Sequence, residues 1–152
     1  MVNREDIGSW LEGPQRVGGG AYPGERLGLP EEGSGSMAGI GRRIVAILID
    51  GFISQIIAAG LLGFTPNAPG LDAFKPLLVL GVMNIVLVST VGTTIGHRLL
   101  GIRVERLPRG WVGWKAGTIR AVLLCLAIPP FINDTDGRGL HDLLAGTVII
   151  RR

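Results

Sequence analysis

With 152 residues the chain has the length for one domain. Hydrophobic residues make up 47% and charged residues only 18%, below the ~25% usual for a soluble domain, and the mean hydropathy is positive. The net charge is +3, yet no basic patch is interleaved with aromatic residues, so nucleic-acid binding is set aside and the positive charge is assigned to the cytoplasmic loops of a membrane protein.

Residues 1–38 form a Gly/Pro-rich tail, with GGG at 18–20, YPGE at 22–25 and EEGSGS at 31–36. Such a segment buries too little apolar surface to offset its ordering entropy, so it is expected to be disordered, or to order only on a partner. Trp10, Leu11, Tyr22, Leu27 and Leu29 are the isolated apolar residues that would anchor it to a partner. Met1 to Trp10 holds Arg4, Glu5 and Asp6 and no apolar core of a signal peptide, so the first apolar run is read as a retained span.

That first span covers about 43–64, within RRIVAILIDGFISQIIAAGLLGF at 42–64. About 21 apolar residues at ~1.5 Å each cross a ~30 Å hydrocarbon core. Asp50 stands inside it, and an ionisable group at such a depth costs on the order of 2–3 kcal/mol unless it is paired or faces a polar interior. Arg43, seven residues earlier, falls on nearly the same helix face, whereas Gln55 does not share one strict stripe with Asp50.

Residues 65–76, TPNAPGLDAFKP, break the helix as a short loop. The second span covers about 77–95, and Gly81, Asn84, Ser89 and Thr90 give it small or polar positions suited to helix contact. Gly92 and Gly96 suit either a packing face or a helix exit. Residues 96–120 carry Arg98, Arg103, Arg106, Arg109, Lys115 and Arg120 against Glu105 alone, which places this stretch in the cytoplasm by the positive-inside rule. Within it GIRVERL alternates like a short strand, and Trp111 and Trp114 suit the membrane interface.

A third hydrophobic segment, about 116–132, is interrupted by Arg120 and by Pro129–Pro130, and its uninterrupted part is too short for a clean span. A re-entrant segment is preferred and a full third crossing is the alternative. The C-terminal tail, 137–152, ends in GTVIIRR, a natural partner for GIRVE on the cytoplasmic face. Cys125, the single cysteine, lies in an apolar run and is expected to be an inert buried thiol.

Three pieces, RRIVAILID at 42–50, GTTIGHRLLGIRV at 92–104 and GRGLHDLLAGTVII at 137–150, together resemble the RDD family of small bacterial membrane proteins. The resemblance covers nearly the whole chain after residue 40. It implies that the arginine and two aspartates of the family's name correspond to Arg43, Asp50 and Asp142, with His141 preceding the second acid. It also implies an accessory or fused module, some members being connected with cation/proton exchange. The physics agrees with one shared polar cluster of Arg43, Asp50, Arg120 and Asp142 near the cytoplasmic end of the helices.

Other patterns carry little. NDTDGR at 133–138 lacks the full ligand set and distal Glu of a calcium loop, and Asn133-Asp134-Thr135 reads as a turn rather than a glycosylation site. His97 and His141 have no spaced partner ligands. With no P-loop, nucleophile elbow or HExxH, no enzyme, metal or cofactor is expected. The fold expected is all-α and integral to the bacterial plasma membrane. It has two transmembrane helices, a short third segment, a small cytoplasmic strand pair and both termini inside, with residues 39–152 as the membrane domain. The function expected first is a non-enzymatic accessory or assembly subunit packed against other membrane proteins of a larger complex. The alternative is a homo-oligomeric cation/proton antiporter using Asp50.

Overall fold

The computed structural model describes residues 20–108, 110–126 and 137–152. Its first long element, α1, is Ile40–Leu62, an unbroken apolar run that Gly63 ends in the left-handed region (φ 62°), returning its amide to the Ala58 carbonyl. The buried residues of α1 are Arg43, Ala46, Asp50, Ser54 and Ala58, spaced by three and then four as one helix face requires. They are small or polar. The large apolar side chains turn the other way: Leu48 is 66% and Phe52 64% exposed. A water-soluble helix has the reverse arrangement, whereas in a bilayer a small-residue seam lets helices approach closely while bulky groups meet lipid. Gln55 is exposed, off the buried seam.

A 3₁₀ turn, Gly70–Phe74, leads into α2, Lys75–Val91, with proline in its first turn. Among the described residues, Ile40–Leu62 and Gly70–Val91 are the two stretches long and apolar enough to cross a membrane, and little of either is buried within the protein. The second span ends earlier than the expected residue 95. Gly92 adopts φ 75° and returns its amide to Leu87 and Val88, so the chain leaves the helix there. A short helix, α3 (Ile95–Leu99), follows and lies on α1, where a Cβ at Gly96 would run into the backbone of Ala46.

Strand β1, Ile102–Arg106, pairs antiparallel with β2, Thr147–Arg151, in the register Ile102↔Arg151, Val104↔Ile149 and Arg106↔Thr147. Between them lie α4, Gly113–Cys125, and α5, Leu140–Ala145. Helix α4 packs along α2, and Ala116, Gly117, Ala121 and Leu124 are among its buried residues. A side chain at Gly117 would collide with Ser89, and one at Gly81 would press on the half-buried Cys125. The rest of the expected third segment, residues 127–132, lies outside the described residues.

All of Thr147–Ile150 is buried, so β2 is covered on both faces. Ile149 joins Ile102, Val104, Ala46, Val88 and Val112 on the helix side. Val148 and Ile150 face the other way and meet Leu29 and Met37, with Leu27 and Leu107 packed alongside. This corrects the expected boundary at residue 38. Residues 35–38 run antiparallel along β2, with bonds from Gly35 N–H to Arg151 O, Arg151 N–H to Ser36 O and Ala38 N–H to Ile149 O, all at 2.8–2.9 Å. Gly and Ser lower the apolar content of this segment, but its few large residues meet a strand face that needs covering. Truncation of Leu29 to alanine is therefore expected to cost about 2–4 kcal/mol. Limited proteolysis in detergent should then cut within residues 20–38 of Leu29→Ala and leave that segment of the parent chain intact.

Candidate functional site

The ionisable residues that stand out in the apolar runs meet at the hairpin end of α1. Arg43, in the first turns of α1, donates from Nη1 to the Gly137 carbonyl at 2.8 Å. Two helical turns on, the Asp50 carboxylate is buried and both its oxygens accept hydrogen bonds from the start of α3. Oδ1 takes the Gly96 amide at 2.7 Å, and Oδ2 takes the Thr94 hydroxyl. The approach of that amide depends on residue 96 having no side chain, since α3 rests on the backbone of α1 there. Within the cluster expected from the sequence, the groups that hold the Asp50 oxygens among the described residues are a hydroxyl and a backbone amide.

Thr94 is the N-cap of α3, and its Oγ1 accepts from the His97 amide at 3.2 Å. The same oxygen contacts His97 Nδ1. Because the Thr94 proton is directed to Asp50, the bond to the ring requires Nδ1–H of His97 to donate, leaving Nε2 as the acceptor. Burial pushes the His97 imidazole down to about 3, with the Arg120 and Arg43 charges acting in the same direction. At neutral pH it is uncharged, and its Nδ1 lies 3.9 Å from Asp50 Oδ2.

The second half of the cluster joins α4 to α5. Arg120 is 1% and Asp142 0% exposed, and Arg120 Nη1 pairs with Asp142 Oδ1. The same oxygen accepts from the Thr147 hydroxyl at 3.0 Å, and His141 Nε2 lies 3.5 Å from Asp142 Oδ2. Arg43, His97, Arg120 and His141 line one cavity of about 250 Å³. The four expected residues are thus brought to one region as two linked groups, one around Asp50 and one around Asp142. Thr94, His97 and Thr147 complete them and were not assigned from the sequence. The signal available was a threonine three residues ahead of His97 at a helix start. Of the expected tail anchors, Leu27 packs against this chain's own sheet, Tyr22 is partly exposed, and Trp10 and Leu11 lie outside the described residues.

A family model described as the RDD family matches residues 37–146. The chain belongs to the RDD family. No curated protein and no solved structure gives a match. The RDD match takes in Arg43, Asp50, Arg120 and Asp142, all the helices α1 to α5, and β1. Two apolar helices and this family membership make it a membrane protein.

The RDD cluster makes two expectations measurable. Removing one member of the Arg120–Asp142 pair leaves a buried charge, so Arg120→Met is expected to cost about 3–5 kcal/mol. Arg120→Met combined with Asp142→Leu should recover part of that loss in detergent melting, because no charge is then stranded. The His97 value below its ordinary 6.5 means that the unfolded chain takes up the proton first. Its contribution is full above about pH 6.5 and declines as pH falls toward 3, by ~1.4 kcal/mol per pH unit. Between pH 7 and pH 5 the parent chain should therefore lose about 2 kcal/mol more stability than His97→Gln.

Proposed function

We propose that this RDD protein is a non-enzymatic accessory or assembly subunit of a larger bacterial plasma-membrane complex, in which the charged cluster is a structural clamp. The observation that carries the reading is that both family acids are engaged in fixed buried contacts. Asp50 holds α3 against α1, and Asp142 holds α5 and β2 against α4. Meanwhile α1 and α2 turn Leu48, Phe52, Leu78 and Val82 outward, a surface for lipid and for neighbouring helices. Two such helices enclose no ion path by themselves.

The hairpin end is assigned to the cytoplasm. Arg42, Arg43, Arg98, Arg103 and Arg106 gather there, whereas the opposite end carries the Lys75–Asp72 pair (2.8 Å). The segment beginning with α4 is re-entrant in this reading. The strand before it and the strand after it are hydrogen-bonded to each other, so entry and exit share one side. Exposed Trp111 and Trp114 then lie at the interface. The antiporter reading draws on one observation, the hydrogen-bond chain from Asp50 through Thr94 to His97 at the cavity wall. As a transporter the chain would have to work as a homo-oligomer.

Native electrophoresis of mild-detergent membranes, with mass spectrometry of co-migrating chains, separates the two. Migration with a defined set of other subunits is expected, and Asp50→Asn should reduce the assembled fraction, because the amide cannot accept from both Thr94 and Gly96. Migration as a small homo-oligomer, together with proton-coupled cation flux in liposomes that Asp50→Asn abolishes, would overturn the accessory reading.

A further inference from the structure

The cavity is amphipathic along its length. Its charged end is made by Arg43 and Arg120, with His97 and His141 beside them, and no carboxylate is among its lining residues within the described part of the chain. The reason is geometric. Asp50 faces the start of α3, and Asp142 faces Arg120 and Thr147, so the acids stand behind the nitrogen-bearing side chains. The buried Arg120 retains an Nε with no hydrogen-bond partner among the described residues. The remaining wall is apolar and extends to Leu77 and Leu80 in the first half of α2, a helix that runs toward the hairpin end. The cavity thus lengthens away from the arginines into hydrocarbon depth. Ile44 and Leu48 line it and are also exposed on α1, so it opens sideways, where acyl chains lie.

Water is a poor occupant, because each ordered molecule needs two to four polar contacts and most of this wall offers none. An occupant with an anionic head and an apolar tail matches both ends. Arg43 is the fourth residue of its span, at headgroup depth, and exposed Arg42 and Arg98 add positive charge at the same end. Basic pockets between membrane helices select anionic headgroups in this way. We propose that the cavity holds an anionic phospholipid of the surrounding leaflet, its phosphate at Arg43 and Arg120 and an acyl chain along Ile44, Leu48 and Leu80. The inference does not depend on the accessory role, since it concerns the isolated chain.

The test is native mass spectrometry of the full chain in mild detergent after incubation with phosphatidylglycerol, phosphatidylcholine or inorganic phosphate. Phosphatidylglycerol should be retained at least tenfold more tightly than phosphatidylcholine, and phosphate alone should not be retained. Ile44→Trp, which fills the lateral mouth, should weaken that retention tenfold or more at unchanged helicity. Leu48→Trp serves in its place if Ile44→Trp does not fold. Leu71→Trp, exposed in the 3₁₀ turn at the far end of the helices and outside the cavity, should retain the lipid like the parent chain. Equal retention of the two phospholipids, retention of phosphate alone, or unweakened binding in the folded mouth variant each overturn the proposal. So does failure to retain any phospholipid.

Discussion

A carboxylate two helical turns inside an apolar helix has to be given donors, and most of the architecture around Asp50 follows from that need. The donors come from the start of α3, so α3 must lie on α1. That contact requires Gly96, because any side chain there would strike the Ala46 backbone. For α3 to reach back, the second span has to stop at once, and Gly92 stops it with a left-handed turn. The Gly92 carbonyl then accepts from the Val104 amide at 2.7 Å, which fixes where β1 begins its course. One buried acid thereby connects the end of a span to the position of the sheet.

Helix packing is governed by the same inversion that makes such an acid tolerable. In water, burying Arg43, Asp50, Ser54 and Ala58 while exposing Leu48 and Phe52 would forgo the main driving force of folding. In lipid the outward apolar groups lose nothing, and contact is built from small residues and satisfied polar ones. The α2–α4 seam uses the same device, with Gly117 against Ser89 and Gly81 against Cys125. The sheet follows ordinary rules instead. Its central strand is apolar on both faces, and the N-terminal segment supplies the second cover through Leu29 and Met37.

Charges inside apolar runs are conspicuous, which is why Arg43, Asp50, Arg120 and Asp142 and the two long helices were legible in the sequence. Thr94, His97 and Thr147 were not, because neutral polar residues in an already polar stretch raise no contrast; only the fold shows that they complete the acids' hydrogen bonds. The packing of residues 20–38 was hidden for a different reason. Composition judges a segment by its own apolar content, and residues 20–38 have little. The missing information lay at the other end of the chain, in TVIIR, whose unbroken apolar run implies a strand needing cover on both sides. The end of the second span was misplaced because hydropathy does not register a single left-handed glycine among apolar neighbours.

The orientation of the acids also determines what the protein presents to its surroundings. A buried carboxylate that faced the cavity would neutralise the arginines from the front and make the space suitable for a cation. Here Asp50 is held by the start of α3 and Asp142 by Arg120 and Thr147, and the nitrogen-bearing side chains line the charged end of the cavity. The formal charges of Arg43, Arg120, Asp50 and Asp142 cancel, yet of these four only the two arginines line the cavity. The clamp and the cavity are therefore two faces of one arrangement. The contacts that lock the hairpin to the helices are the ones that leave the arginines and histidines at the charged end of the cavity.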